Sequence, residues 1–128
     1  MAVIRGSEYK EFELMGNHML GLATRGRGAQ EVPVWRGRSD PGAATPPHYH
    51  DHEEVLVILS GSGKVKIQGD QVLVSSGDVV IVPPRTHHEL AADEQGEGLD
   101  AIAVLPAGTK NNIPSEWRGT RAPMGRVT

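Results

Sequence analysis

The chain has 128 residues and a mass of 13.7 kDa, which is the size of one domain and leaves no room for a second full core. Hydrophobic residues make up 38% and charged residues 23% of it, so one modest core is possible and a wholly disordered chain is excluded. The formal net charge is −3 and no basic stripe stands out, so we expect no nucleic-acid partner.

The residues before position 40 carry three weak strand patterns. They predict short strands at Glu11–Leu14, Met19–Ala23 and Val32–Arg36, with turns at Gly16-Asn17 and Arg25–Gly28. Glycine and proline together make up about a fifth of the chain, which argues against a helical bundle and favours short strands joined by tight turns.

Stronger strand patterns occupy the middle of the chain. Val55–Leu59 is a β-branched run that we expect to end at Ser60–Gly63, and Lys64–Gln68 alternates polar and apolar residues. Gly69-Asp70 then suits a two-residue type II′ hairpin turn, because glycine readily adopts the positive φ of its first position. The return strand is predicted at Val72–Val74.

Two further strands are predicted at Val79–Val82 and Leu99–Leu105. We expect residues 106–128 to form a solvated tail, within which Ile113–Trp117 forms one helical turn and docks the Trp117 side chain. No longer helix is indicated, so the predicted fold class is all-β, as a sandwich or a barrel.

Two absences in the sequence bear on location and chemistry. The longest aliphatic run, Val55–Leu59, is far shorter than the roughly 18 residues that span a membrane, and no basic-then-apolar stretch follows Met1. We therefore expect no membrane partner, no secretory signal and a cytoplasmic location. Cysteine is absent, so any metal ion must be bound by nitrogen and oxygen ligands.

Most of the histidines lie in two short stretches, one before a predicted strand and one after another. Residues i and i+2 of an extended chain point to the same side, so His48 and His50 can face one point. Glu54 shares their parity, but a straight strand would carry it about 20 Å from His48. One ion can bind all three only if the chain bends over residues 51–53, and such a bend leaves the direction of His52 undetermined.

The spacing of the glycines, histidines and one glutamate resembles the two sequence motifs of the cupin superfamily. The first motif matches at every fixed position, at Gly42, His48, His50, Glu54 and Gly61. The second motif matches at Gly77, Pro83 and His88. It departs where the family usually has glycine and often has asparagine, at Arg85 and Ala92. Neither position is a ligand in the family, but the turn before His88 can differ in shape.

The resemblance implies an antiparallel jelly-roll barrel, also called a double-stranded β-helix, as one domain over residues 1–128. The N-terminal strands then lie in 1–40, the barrel in 41–105 and a tail in 106–128. It also implies one divalent ion, which could be Zn, Fe, Ni, Mn, Co or Cu, in the barrel mouth. The ligands carried over by position are His48, His50, Glu54 and His88. Family members commonly pair through the N-terminal strand, so we expect a homodimer with contacts from residues 1–40 and around Trp117.

The resemblance further implies a small organic substrate that is anionic or enolisable, because one carboxylate leaves a net charge of +1 on a divalent ion. We prefer dioxygenase-like chemistry, since no general base is clearly indicated. The alternatives are an isomerase or decarboxylase, and a non-catalytic cupin that binds a small molecule such as a sugar. Candidate catalytic groups near the ligands are His87 and Glu53, with Arg85 as a clamp for a substrate carboxylate. Glu89 is another candidate base, and each of these residues also has the simpler interpretation of facing solvent.

Overall fold

The structure, a computed structural model, describes residues 1–112 and 126–127, and this part of the chain is almost entirely β-strand. The strands are β1 Glu11–Leu14, β2 Asn17–Ala23, β3 Val34–Ser39, β4 Tyr49–His50, β5 Glu54–Ile67, β6 Asp70–Ser75, β7 Val79–Val82, β8 His88–Ala92, β9 Leu99–Val104, β10 Thr109–Asn112 and β11 Arg126–Val127. Two 3-10 helices of three residues each, Gly6–Glu8 and Arg25–Arg27, are the helices of the described residues. No helix found there is long and apolar enough to cross a membrane. The all-β prediction is therefore confirmed for these residues.

The long strand β5 connects two groups of strands, and every pairing is antiparallel. Its N-terminal half pairs with β7 and β9, and β9 continues through β3 and β2 to β1. Its C-terminal half pairs with β6 and β8. Beside β8, the short strand β4 pairs with β10, and an isolated bridge joins His48 to His88. The two groups enclose a common interior.

The core lies between these groups and is built by the alternation of β5. Ile58 and Val65, on its two halves, are each only 1% exposed. They form one buried cluster with inward-facing residues of the neighbouring strands, which are Val74, Ala92, Leu99 and Ala101. Burial of these apolar side chains on both halves of β5 holds the two groups of strands together.

The predicted break at Ser60–Gly63 is wrong, because β5 runs through it without a turn. Gly61 has φ +87°, and a Cβ there would lie 1.8 Å from the Gly98 carbonyl oxygen. A Cβ on Gly63 would lie 2.2 Å from the Ala91 carbonyl oxygen. These glycines therefore serve close contact between backbones as β5 passes from one sheet to the other, and they do not form a turn.

The hairpin after β5 is present, but its turn lies one residue earlier than predicted. Ile67 pairs with Asp70, so the two loop residues are Gln68 and Gly69, with φ +49° and +86°. Positive φ at both positions is the type I′ conformation, whereas the sequence predicted type II′ at Gly69-Asp70. The type I′ turn matches the right-handed twist of the strands it joins.

Several predicted strands have the right position with shifted ends, whereas Glu11–Leu14 and Val79–Val82 match β1 and β7 at both ends. Four strands were not predicted, β4, β8, β10 and β11. The prediction of a solvated tail is wrong for β10, since Thr109 is fully buried and the strand pairs with β4. The predicted helical turn at Ile113–Trp117, and the contact expected of Trp117, lie outside the described residues.

Candidate metal centre

Three imidazoles and one carboxylate meet at one end of the enclosed interior. The ring centroids are 4.2 Å apart for His48 and His88, 4.9 Å for His48 and His50, and 5.3 Å for His50 and His88. One nitrogen from each ring lies within 4.8 Å of the others. Glu54 places Oε1 3.1 Å from His88 Nε2 and Oε2 3.4 Å from His50 Nε2. All four residues that the resemblance marked as ligands are thus neighbours in space.

The local backbone explains how residues 34 or more positions apart in sequence come together. Strand β4 ends at His50 and β5 begins at Glu54, with bends at the two residues after β4, so the chain turns where the sequence required it. His48 and His88 exchange two backbone hydrogen bonds, with N–O distances of 3.0 and 2.8 Å. The exchanged pair fixes the spacing of these two histidines through the main chain.

Backbone carbonyls orient two of the imidazoles in the same way. His48 Nδ1 lies 2.6 Å from the Pro46 carbonyl oxygen, and His88 Nδ1 lies 2.9 Å from the Thr86 carbonyl oxygen. A carbonyl can only accept, so each Nδ1 carries the proton and donates it. Each ring therefore leaves Nε2 for the shared centre, where His88 Nε2 lies 3.1 Å from Glu54 Oε1.

The donor set fits a divalent metal ion. His50 is 3% exposed, and neither of its ring nitrogens has a hydrogen-bond partner among the described residues. A buried polar atom without a partner costs about 1–3 kcal/mol, so this imidazole has an open valence for a ligand. An ion with bonds of about 2.1 Å sets its ligand atoms about 3–4 Å apart, which requires only a slight contraction of the observed group. Nitrogen and carboxylate ligands suit borderline ions such as Zn, Fe, Ni, Co, Mn or Cu.

Burial and mutual contacts shift the pKa values of these groups in different directions. Burial, followed by the charge of His88, lowers the pKa of His48 to about 4. Burial raises the pKa of Glu54, but contacts with His50 and His88 outweigh it and hold that pKa at about 2. Burial lowers the pKa of His88, but its bonds to Glu54 and to the Thr86 carbonyl outweigh that effect and raise it. A Glu54 carboxylate that stays ionised beside a His48 ring that stays neutral suits cation binding.

The metal-free protein is expected to lose stability as the pH falls from 6.5 to 4. In that window the unfolded chain protonates His48 and the folded chain does not, so protons favour unfolding by up to about 3 kcal/mol. His88 opposes this in part, because its raised pKa contributes stability at low pH that is lost as the pH rises through that pKa. Urea unfolding at pH 7, 5.5 and 4.5 measures the net slope.

The matched variant for this pH dependence is His48→Gln, which removes the titrating ring and keeps an amide in its place. Its free energy of unfolding should fall less between pH 7 and 4.5 than that of the parent chain. An equal slope in the two proteins would contradict the assignment to His48. In the metal-loaded protein, we expect release of the ion below about pH 6, because imidazoles must be neutral to bind.

A cavity of about 80 Å³ opens beside His48, Glu54 and His88. Its other walls are mostly apolar side chains from five strands or their ends, namely Leu14, Met19, Leu56, Leu90, Leu99, Ala101 and Ala103. The amide of Asn17 also lines it, but its Nδ2 donates to two backbone carbonyls and its Oδ1 accepts from Ser39 Oγ. Among the lining residues there is no lysine or arginine. Sequence patterns gave no signal for this cavity, because its walls come from distant strands.

The structure places the predicted catalytic residues outside the cavity. His87, Glu53 and Arg85 are all exposed, and none of them lines the cavity. His87 precedes β8, and its ring centroid lies 4.7 Å from that of Tyr49. Glu89 is half-buried and forms an ion pair with Lys66. A catalytic role for the three candidates stays a prediction.

The two departures from the family motif are accommodated differently. Arg85 has φ +58°, the left-handed conformation that glycine adopts most easily, and its N–H donates to the His50 carbonyl at 2.6 Å. Arginine therefore forms the kind of turn that a glycine would form, at some cost in strain. Ala92 is buried in the core and exchanges no side-chain hydrogen bond.

Comparison with known proteins identifies the family. The family model for the cupin domain matches residues 35–104, which is more than half of the chain. The chain belongs to the cupin family. Auxin-binding protein 4 of Zea mays is 26% identical to it over 98 residues, covering 70% of this chain and 48% of that protein. This cupin therefore spans less than half the length of that relative.

Solved cupin structures confirm the antiparallel jelly-roll fold. The polyketide cyclase RemF from Streptomyces resistomycificus superposes with a TM-score of 0.79 at 18% identity, covering 94% of each chain. A Bacillus subtilis oxalate decarboxylase, OxdC, gives 0.74 at 22%, with 91% of this cupin and 33% of that chain covered. A salicylate 1,2-dioxygenase from Pseudoaminobacter salicylatoxidans, in complex with gentisate, gives 0.71 at 15%, with 83% and 31% covered. At these identities the likeness shows the fold alone.

Proposed function

We propose that this cupin binds one divalent metal ion through His48, His50, Glu54 and His88 and acts on a small organic molecule beside it. The observation that carries the proposal is the convergence of these four buried groups, in which neither ring nitrogen of His50 makes a hydrogen bond to the described residues. A bound ion would polarise an oxygen atom of the substrate and keep positions open for it. The chain's own part is to hold the imidazoles by backbone carbonyls and to exclude water with apolar walls.

The size and the lining of the cavity favour a small substrate that is mainly apolar. Its volume of about 80 Å³ is well below the roughly 300–1,000 Å³ of pockets for drug-sized ligands. No cationic side chain lines it, so an anionic or enolisable group of the substrate would find positive charge only at the metal position. A single carboxylate, Glu54, leaves a net charge of +1 there for a divalent ion. The substrate would therefore orient its oxygen atoms toward the histidines and its carbon skeleton toward the leucines.

Dioxygenase-like chemistry is the preferred reaction class. An isomerase needs a general base within hydrogen-bond reach of the substrate, and the candidate bases His87 and Glu53 are exposed and do not line the cavity. Glu54 already contacts two imidazoles and would be engaged by the ion. Because neither base lines the cavity and Glu54 is engaged, the cavity favours a reaction at the metal ion itself. A decarboxylase is the alternative.

The test is oxygen uptake by the Fe(II)-loaded protein with a panel of catechol-, flavonol- and diketone-type compounds. We expect uptake with at least one of them, and none with a His50→Leu variant that carries no iron. Isomerisation or decarboxylation of a panel compound without oxygen uptake would reverse the preference. Elemental analysis of protein purified without a chelator or a histidine tag identifies the resident ion, and absence of any bound metal would overturn the proposal.

A non-catalytic binding function is the second candidate. Its support is the similarity to an auxin-binding protein, together with a cavity that offers apolar contact and no separate base. A sugar would fit this cavity poorly, because its hydroxyl groups would have few polar partners there. Calorimetric titration of the metal-loaded protein with indole-3-acetate and with monosaccharides distinguishes these ligands. Binding of indole-3-acetate without turnover in the oxygen assay would favour this candidate.

We further propose that residues 1–128 form one cupin domain, that the protein is cytoplasmic and that it forms a homodimer.

A further inference from the structure

Small residues on two neighbouring strands form the floor of the cavity. Gly37 on β3 lies opposite Ala101 on β9, and both line the cavity. Ala103, two residues after Ala101, lines it as well. Because side chains alternate between the two faces of a strand, these three positions share the inner face of the sheet. The cavity therefore exists because three inward positions carry little or no side chain.

The side chain of Met19 borders this floor on the side of β2. Met19 lies opposite Gly37 in the register and lines the cavity. A Cβ on Gly37 would lie 3.3 Å from Met19 Sδ and 3.8 Å from its Cε, so the thioether lies over the position where residue 37 has no side chain. Phe12, the partner of Met19 on β1, does not line the cavity. Along this row of the sheet, Met19 is therefore the side chain that ends the cavity.

Strand β2, which carries Met19, is tied to the segment that follows β3. Asn17 Nδ2 donates to the Ala44 carbonyl at 2.9 Å, and His18 Nε2 lies 3.1 Å from Asp40 Oδ1. Successive residues of a strand point to opposite faces, so one contact lies on the inner side of the sheet and the other on the outer side. Movement of β2 away from the cavity would break both contacts. The width of the cavity here is therefore set by the length of the Met19 side chain.

We infer that Met19 sets the upper size limit of the molecules that the cavity accepts, and that this limit excludes a six-membered ring. The cavity has a volume of about 80 Å³, whereas an apolar cavity of about 150 Å³ holds benzene. Beside a metal ion, the limit restricts the substrate to short acyclic compounds with an oxygen atom for the ion. This substrate class rests on the proposed function, whereas the size limit does not.

The test is the effect of benzene on the thermal unfolding of the full chain and of Met19→Ala, each in buffer saturated with benzene. The substitution removes three heavy atoms, each with at most about the 30 Å³ share of a water molecule, so it about doubles the cavity. A ligand that binds only the folded state raises the unfolding midpoint. We expect benzene to raise the midpoint of Met19→Ala by about 3 °C or more, and that of the parent chain by less than about 1 °C.

Two control variants separate an enlarged cavity from other effects of benzene. Met15→Ala shortens an exposed methionine in the turn before β2 that does not line the cavity, so it should behave as the parent chain does. The double variant Met19→Ala, Gly37→Leu places a side chain over the same floor from the neighbouring strand. Benzene should no longer shift the midpoint of this double variant, because the space vacated by Met19 is filled again.

Three results would overturn the inference. They are an equal shift in the parent chain, no shift in Met19→Ala, and a shift that persists in the double variant. Far-UV circular dichroism establishes that each variant is folded. If Met19→Ala does not fold, Met19→Val takes its place, since its side chain is also too short to cover Gly37. A smaller shift in the same direction is then expected, and no shift overturns the inference.

Two measurements on Met19→Ala separate the size limit from the proposed function. Its metal content should equal that of the parent chain, because Met19 is not a ligand. With iron bound, oxygen uptake with a catechol should occur in Met19→Ala and not in the parent chain, and uptake by the parent would overturn the size limit. Absence of metal and of oxygen uptake in both proteins, with the expected benzene shifts, would overturn the proposed function and leave the size limit intact.

Discussion

Replacing His50 with leucine is expected to abolish metal binding. His50 is buried, its ring nitrogens make no hydrogen bond within the described residues, and its Nε2 lies 3.4 Å from Glu54 Oε2 at the shared centre. Leucine has a similar volume and no polar atom to satisfy. Loss of one ligand should lower metal affinity more than about 100-fold, since even the residues that orient ligands contribute 10–100-fold.

Two measurements on the same variant test this prediction. Elemental analysis gives the metal content per chain, which should fall from about one to near zero, and urea unfolding of the metal-free proteins gives the stability change. The control is His52→Leu. His52 lies two residues after His50, but its side chain is exposed and its Nδ1 lies 3.1 Å from Asp51 Oδ1. It should keep its metal and change stability by less than about 0.5 kcal/mol. Full metal content in His50→Leu would contradict the assignment.

Replacing Gly61 with alanine is expected to destabilise the protein by more than about 4 kcal/mol. The new Cβ would lie 1.8 Å from the Gly98 carbonyl oxygen, and that oxygen belongs to backbone that cannot rotate away. The positive φ of +87° adds a cost of about 1–2 kcal/mol for any residue with a Cβ. Relief requires β5 to separate from the loop before β9, which would open the core.

Gly77 provides the matched control for this substitution. Its φ of +93° is nearly the same, but a Cβ there meets no atom within 4 Å. Gly77→Ala should therefore cost only the conformational term of about 1–2 kcal/mol. Chemical denaturation of both variants measures the difference. Similar losses would show that left-handed backbone strain, and not close approach to Gly98, explains the glycine in the first motif.

The sequence predicted the strands well where turn residues bound an apolar run and failed where glycine served close packing. β7 was correct at both ends, whereas β5 was divided at Ser60–Gly63 because glycines usually mark turns. Nothing local distinguishes a glycine that turns the chain from one that lets two backbones touch. The distinction depends on Gly98 and Ala91, which are distant in sequence.

The candidate site shows the same division between local and distant information. Parity placed His48 and His50 on one side, and the need for a bend before Glu54 followed from strand length alone. The backbone carbonyls that orient the rings carry no side-chain signature, so the sequence could not show that Pro46 and Thr86 take part. The apolar walls of the cavity were likewise invisible, since they come from strands whose register is set by the whole barrel.

Because two main-chain hydrogen bonds join His48 to His88, the geometry of the metal centre and the shape of the cavity are separate properties of the molecule. Each imidazole is oriented by this bridge and by a carbonyl two residues earlier, so its position does not rely on the apolar side chains that line the cavity. Replacing Met19 with a smaller residue would then change which molecules enter the cavity, while the imidazole nitrogens of His48 and His88 keep their places. Substrate preference and metal affinity can accordingly diverge independently among descendants of this chain.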